Sequence, residues 1–429
     1  MRIVYLNPSA ELGGAERVLL DLIASTRQSS PDIDLVVVLG ANGPLASEAV
    51  RLGAGVRVLP LPSMLAKIGD SALGYEGRLG AAMTFARDAI PAGLAALRYR
   101  KMLAGILREL NPDVIHSNGN KMHLLAALCR PAAAAIVWHV HDFLSSRRLM
   151  SRILRGAARR ASGAIAISGA IAQDVRSTLA ALPVQVVYDA IDVDDFSPAP
   201  AEATMLDRLA GREPAPEGTV RVGLVATYAR WKGHGLFLDA IARVQASPPR
   251  SPIRFYIVGG PIYDTRGSQF SEAELRSMAA RLGVAGSVGF IGFQRSPAPI
   301  YRALDVVVHA STSPEPFGRT IVEAMGCGRP VIVARGGGAA ELFTHDEDAV
   351  GFPPGEADEL AAAMVSLADD PARRLRLGER ARQTAVQRFS RARFGREILE
   401  AYRSFTGTSP QPGSSPAPHR RAARERSRG

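Results

Sequence analysis

Short runs of Val, Ile and Leu alternate with longer stretches of helical period along almost the whole chain, and that alternation leaves few folds open. Runs at Ile3–Leu6, Leu35–Leu39, Val56–Leu59, Val114–His116, Ala135–Trp138, Ala164–Ile167 and Val184–Tyr188 read as strands. Apart from Arg57 and Gln185, which interrupt the third and the last, they are almost continuously apolar, so both faces need cover. Helices between consecutive runs supply it, which predicts a parallel, doubly wound sheet. The pattern lapses where proline accumulates, at Ser197–Pro200 and again at Glu213–Pro216. It restarts with Val220–Ala226, Ile253–Val258, Val288–Ile291, Val306–His309 and Val331–Ala334. Helices are predicted between and after these runs, at Leu236–Val244, Glu272–Leu282, Arg319–Met325, Asp358–Leu367, Ala372–Arg388 and Ala392–Phe405. A chain of 429 residues should split its apolar residues between two cores. The expectation is an α/β protein with two Rossmann-like, doubly wound domains facing a central cleft.

Domain bounds follow from the same pattern. Residues 1–198 form the first domain, 199–219 a linker and 220–385 the second domain. Residues 386–405 form a C-terminal helix free to pack back on the first domain. Residues 406–429, rich in Ser, Pro and Arg, read as a disordered basic tail. Between Pro60 and Pro91, Gly69, Gly74, Gly77 and Gly80 punctuate an amphipathic stretch that reads as an insertion of loop and short helix.

Lys and Arg total 52 against 41 Asp and Glu, a surplus of 11 that favours anionic partners without choosing among them. Arg420, Arg421, Arg424, Arg426 and Arg428 place part of it in the tail. Two distant cysteines, Cys129 and Cys327, exclude a disulfide framework and a cysteine metal site. The first apolar run is too short for a signal peptide, and no window approaches the ~18 apolar residues of a spanning helix. The expected location is cytoplasmic, with attachment at the inner face of the membrane open. That option comes from Arg147, Arg148, Arg152, Arg155, Arg159 and Arg160, a stretch with no acid between Asp142 and Asp174. It fits a basic amphipathic helix on an anionic membrane, or simply a solvated arginine face. No basic face carries interleaved aromatics, so a nucleic-acid partner is not expected.

Five stretches could carry chemistry. Glu315–Gly326 begins Glu-Pro-Phe-Gly and places Pro316 for the first turn of a helix. Glu315 would then lie just outside an anion-binding helix end, with Glu323 about two turns in. Thr227–His234 follows a strand and carries Arg230 and Lys232, cations placed where α/β proteins bind ligands. Gly336–Gly338 and Gly13–Gly14 let backbone approach a ligand, but the dinucleotide spacing G-x-G-x-x-G is missing, which counts against an NAD enzyme. His139 and His141 point the same way in an extended chain, yet no third metal ligand is apparent. No metal and no cofactor are expected.

Taken in order, these motifs resemble the retaining glycosyltransferases of family 4, which have the GT-B fold. Glu315 and Glu323 match the family's E-x7-E pattern, and Trp231-Lys232-Gly233 its Lys-Gly step. Val258-Gly259-Gly260, Phe290–Phe293, Gly336–Glu341, Gly13–Glu16, His141-Asp142, Ser168 and Tyr188–Asp192 match its other loops. The resemblance implies a nucleotide-sugar donor held mainly by the second domain, with the acceptor on the side of the first. Lys232 and a nearby arginine would neutralise the diphosphate, and Glu323 would bind the ribose. Glu315, with the backbone of Phe317 and Gly318 and with Thr320 beside them, would hold the sugar. Gly259 and Gly292 would line the donor site, and Gly13 and Gly14 would approach the phosphates. His141 would lie near the reacting sugar. The family's usual arginine, five residues before the lysine, is Thr227 here, and Asp189-Ala190 replaces the commoner Asn-Gly. Either Arg230, two residues before Lys232, supplies the missing charge or the phosphate clamp is weaker here. The resemblance thus implies a metal-independent hexosyltransferase acting on a lipid-linked or polysaccharide acceptor. A nucleotide-sugar epimerase of the same fold and a non-catalytic nucleotide-sugar or lipid-binding module are the alternatives.

Overall fold

The computed structural model describes residues 1–63, 65, 78–129, 131, 133–202, 204–261 and 267–407, with 78–92 described by backbone alone. Much of the insertion expected between Pro60 and Pro91, and nearly all of the basic tail, lie outside the described residues.

The first half builds seven strands: β1 Arg2–Asn7, β2 Asp34–Leu39, β3 Gly55–Val58, β4 Val114–Asn118, β5 Ala135–Val140, β6 Gly163–Ala166 and β7 Val184–Val186. The second builds six: β8 Val220–Val225, β9 Ile253–Val258, β10 Val288–Ile291, β11 Val306–His309, β12 Val331–Ala334 and β13 Val350–Phe352. The sheet orders are β3-β2-β1-β4-β5-β6-β7 and β10-β9-β8-β11-β12-β13. Their ladders are parallel, as in Ile3 opposite Leu35 and Val306 opposite Val222. The strand order reverses between β1 and β4 and again between β8 and β11, and ligands of such sheets bind at the carboxyl ends of those strands.

β13 has only three residues and was not anticipated from the sequence, since so short a run carries no period. β7 stops at Val186, two residues earlier than expected, so Tyr188 and Asp189 lie beyond the sheet.

Both sheets are buried on their two faces, and one apolar cluster runs from the first half into the second, joining Trp138 and Ala166 to Tyr256, Val307 and Phe317. One face of the first sheet buries Trp138, Tyr99, Leu103 and Met122. Val222, Leu224, Phe237 and Phe255 lie at the centre of the second domain. The other face of the first sheet is completed from the far end of the chain, because helix Arg391–Thr406 lies on it and contributes Phe394, Ile398 and Tyr402. Tyr402 Oη lies 2.8 Å from His116 Nδ1, inside that core. Arg391 binds Asp21 at 2.7 Å and also reaches Asp192. Cys129 and Cys327 are buried, and burial pushes their thiols up to about 11 and about 12, the behaviour of inert packing residues. Among the described residues, no helix is long and apolar enough to cross a membrane.

Candidate active site

The centre of the site forms where β8 and β11 end. After β8 the chain makes a short 3-10 turn, Arg230–Lys232, and Gly233 starts the next helix with φ of 78°. A Cβ on Gly233 would lie 1.8 Å from the Ala310 carbonyl oxygen, so only glycine lets this turn pass so close to the end of β11. That approach carries Lys232 across to Glu315. Lys232 Nζ donates to Glu315 Oε1 at 2.6 Å, with side chains 22% and 10% exposed. Ser311 Oγ donates to Glu315 Oε2 at 2.6 Å, and His309 Nε2 lies 3.4 Å from the same oxygen. Burial opposes ionisation of Glu315, but Lys232 and His309 outweigh it and hold its carboxyl well below the usual range. Glu315 is a fixed anion, suited to accept hydrogen bonds and unsuited to donate a proton.

The surroundings of Glu315 correct one expectation. Pro316 does not start the helix. The helix spans Arg319–Gly326, with Gly318 as its left-handed N-cap. Glu315 instead runs extended beside Gly337: Glu315 N–H donates to Gly336 O at 3.2 Å, and Gly338 N–H to Glu315 O at 2.7 Å. The glycine run is thus used to pair with the backbone of the carboxylate loop. A Cβ on Gly337 would stand 2.5 Å from Glu315 O. Glu323 consequently lies one turn into the helix rather than two. It is buried between Arg319, whose Nε donates to Oε1 at 2.8 Å, and Tyr301, whose Oη donates to Oε2 at 2.9 Å. Burial pushes the Glu323 carboxyl up despite these partners. Phe317 is buried against Tyr188 and Phe389, and Thr320 is half-buried at the helix start. Gly259 N–H donates to Ile291 O at 2.9 Å, and Gly292 O accepts from Gln294 Nε2 at 3.0 Å, which places both at carboxyl ends of the second sheet.

Arg230 is placed differently from Lys232. Its guanidinium donates to Gly267 O and to Glu274 Oε1, each at 3.0 Å, and lies 4.2 Å from the Phe270 ring centroid. The structure therefore joins Lys232 to Glu315 and turns Arg230 onto the loop at Gly267 and the first turn of helix Glu272–Arg281. Arg17, one turn into the first helix, donates to Arg295 O at 2.9 Å and brings a cation from the first domain to the cleft. Neither this arginine nor Arg319 was singled out from the sequence. Arg319 binds Asp21 Oδ2 at 2.7 Å and Ala190 O at 3.2 Å, tying the halves together beneath Glu323. His309, Ser311 and Tyr301 were also missed. The one available signal was that His309 ends a predicted strand.

On the first domain, Gly13 caps the helix that begins at Gly14, and the space where a Gly14 Cβ would project is open. His141 Nε2 lies 3.3 Å from Asn118 Oδ1, and burial pushes the imidazole down to about 4. It is neutral at physiological pH. His139 is fully buried, and neither ring nitrogen has a hydrogen-bond partner among the described residues, though Nε2 lies 4.0 Å from Asp189 Oδ1. The third group that the sequence did not reveal is Asp189. One ligand atom from each of His139, His141 and Asp189 lies within 4.8 Å of the others, a donor set that could hold a metal ion. Burial pushes Asp189 up to about 7.

Contacts also cross the cleft. Ser168 Oγ donates to Pro316 O at 2.7 Å. The Glu341 carboxylate accepts from the Gly169 and Ala170 amides at 2.7 Å each, capping a first-domain helix, and from Tyr188 Oη at 3.0 Å.

Two family models divide the chain between them: Glycosyltransferase Family 4 matches residues 12–195, and Glycosyl transferases group 1 matches residues 207–384. The chain belongs to the family 4 glycosyltransferases. Among curated relatives of this GT-B glycosyltransferase, the D-inositol 3-phosphate glycosyltransferase of Corynebacterium urealyticum is 28% identical over 87% of the chain and 86% of that protein. The enzyme of the same name from Corynebacterium kroppenstedtii is 32% identical over 51% of the chain, and the match spans about half of that relative, 48%. Among solved structures, Anabaena Alr3699/HepE in complex with UDP superposes with a TM-score of 0.75 at 27% identity, covering 94% of this chain and all of that one. Its complex with UDP-glucose gives 0.73 at 28% identity over 94% and 100%. Sucrose-phosphate synthase from Thermosynechococcus elongatus, at 18% identity and a TM-score of 0.73 over 95% and 100%, shares the fold.

Proposed function

We propose that this glycosyltransferase moves a hexose-type sugar from a nucleoside diphosphate to a lipid-linked or polysaccharide acceptor, with retention at the anomeric carbon and without a resident metal. The observation that carries the reading is the Lys232–Glu315 pair at the switch point of the second sheet. Lys232 is the cation nearest the place where a diphosphate would depart, and preorganised charge of this kind stabilises a leaving group without reorganisation. Glu315, held ionised, accepts hydrogen bonds from sugar hydroxyls, with the Phe317–Gly318 backbone beside it. Glu323 offers its remaining lone pairs to the ribose. Gly14 leaves space for phosphate from the other domain. His141, neutral, orients the sugar by one hydrogen bond.

Glu315 is held ionised and Glu323 is committed to Arg319 and Tyr301, so neither carboxyl is placed to protonate the leaving oxygen. The acceptor hydroxyl therefore passes its proton to the departing phosphate on the same face of the sugar, which yields retention without the two-carboxylate arrangement of glycosidases. Arg230, committed to Glu274 and Phe270, shapes the loop beside the lysine. Complexes of the Anabaena neighbour with UDP and UDP-glucose make uridine nucleotides the first donors to try. The names of the curated relatives make a phosphorylated cyclitol an acceptor to include.

The test is a thermal-shift panel of nucleoside diphosphates and their sugars, followed by product analysis with acceptor. At 100 times Kd, a ligand of the folded state adds about 2.7 kcal/mol of stability. One nucleotide should raise the melting temperature, and the product should keep the donor's anomeric configuration. No shift with any nucleotide would overturn the donor assignment. Conversion of donor without acceptor would instead favour an epimerase.

A further inference from the structure

Helix Arg148–Ala158 has the most divided surface among the described helices. Ser151, Leu154, Ala157 and Ala158 are buried against the first domain. At about 3.6 residues per turn, Arg148, Arg152, Arg155 and Arg159 fall in one outward row. Beside that row stand Leu149 and Ile153, 56% and 43% exposed. Arg148, Arg152 and Arg159 have no ion-pair or hydrogen-bond partner among the described residues, whereas Arg155 Nε donates to Thr178 O at 3.1 Å. Solvation alone accounts for exposed arginines but not for two large aliphatic side chains held in water beside them. The neighbouring helices also expose large apolar side chains. The adjoining helix Asn120–Cys129 exposes Leu128, and the next, Arg78–Leu110, exposes Leu94, Leu97 and Met102 next to Arg98 and Lys101. A groove of about 580 Å³ lies beside the basic row, with Arg152, Arg155 and Arg159 on one wall and residues 177–181, from Ser177 to Ala181, on the other.

We infer that this face docks on an anionic lipid bilayer, with Leu149 and Ile153 entering the headgroup boundary and lipid phosphates lying along the arginine row and its groove. Charge selects the occupant: six arginines and no acid lie between Asp142 and Asp174. A protein partner of ordinary mixed charge would leave this row unpaired. A nucleic acid would use the arginines but not the aliphatic side chains beside them. The inference concerns where the enzyme sits and stands apart from the donor chemistry, so nucleotide binding reports separately on that reading.

The test is flotation of the full chain with phosphatidylglycerol vesicles and with phosphatidylcholine vesicles at ~0.1 M salt. Two variants accompany it, Arg148→Ser/Arg152→Ser/Arg159→Ser and Leu149→Ser/Ile153→Ser. Each basic residue near an anionic surface is worth ~1 kcal/mol, or about fivefold in partitioning, so the triple variant should lose ~10²-fold. The double variant should lose affinity too, keep its salt dependence, and melt at the wild-type temperature. The Arg420–Arg428 tail is unchanged in every protein compared, so the differences read the helix alone. The inference is overturned if the wild type floats equally with both lipids or with neither. Equal flotation of the triple variant would overturn it as well. So would an unaltered double variant, or competition by a short DNA duplex that displaces the protein from vesicles equally in the wild type and the double variant.

Discussion

Lys232→Met keeps most of the lysine stem in place but removes the charge facing Glu315. The Glu315 carboxylate is then left 10% exposed with Ser311 and His309 as its remaining partners. Breaking a buried pair by removing one member costs ~3–5 kcal/mol. Because Lys232 is 22% exposed and Ser311 still donates, the low end, ~3 kcal/mol, is expected. In the wild type the folded-state pKa of Glu315 lies below its unfolded value, so the pair stabilises above the ordinary carboxylate range and that contribution is lost as pH falls. In the variant, burial acts without Lys232 and the folded pKa rises above the unfolded one. The deficit is therefore largest at neutral pH and shrinks as acid protonates Glu315. Urea denaturation at pH 7.5 and pH 4.5 measures both ends, with ~3 kcal/mol expected at the first and less than half of that at the second. Lys232→Met/Glu315→Gln replaces the stranded charge by a neutral amide and should recover most of the stability at pH 7.5. Neither protein should recover turnover, which falls by ~10²–10³ when one preorganised transition-state contact is lost. An equal stability deficit at both pH values, or a double variant no more stable than the single one, would refute the electrostatic reasoning.

Other outcomes follow from neighbouring geometry. Glu323→Ala should weaken nucleoside diphosphate binding while leaving the pH dependence of Glu315 untouched, and calorimetry showing unchanged affinity would remove the ribose assignment. Gly233→Ala places a methyl 1.8 Å from Ala310 O at a φ of 78°, and should cost ~3 kcal/mol or more by urea denaturation. A variant within ~0.5 kcal/mol of wild type would mean that the turn can move away from β11. Glu341→Ala leaves the amides of Gly169 and Ala170 without their acceptor. Hydrogen exchange at these two amides should accelerate, with ~2 kcal/mol lost overall, and unaltered exchange would show that the cap does not hold the domains together.

Most of the sheet was legible because burial on both faces demands unbroken apolar runs. Ile253–Val258, Val288–Ile291, Val306–His309 and Val331–Ala334 have the same limits in the structure as in the sequence reading. Val350–Phe352 escaped because three residues hold no period. Pro316 misled for a different reason: its fixed φ suits a helix start, but Gly318, in a left-handed conformation, delays that start to Arg319. Lys232 and Glu315 were each noticeable, yet 83 residues separate them, and only the Gly233 approach to β11 makes them partners. Asp189 was read as a departure from a familiar turn. Its place beside His139 depends on β7 ending early, which no local pattern announces.

The last helix has a consequence for how the molecule comes into being. One face of the first sheet is closed by Phe394, Ile398 and Tyr402, roughly two hundred residues after β7. On a ribosome adding ~5–20 residues per second, that face waits ~10–40 s for its lid while the entire second domain is made. The domain that starts first is therefore finished last. Through that interval Ile3, Tyr5 and His116 present an open apolar wall, the surface a chaperone would engage and the point at which a stalled chain would aggregate.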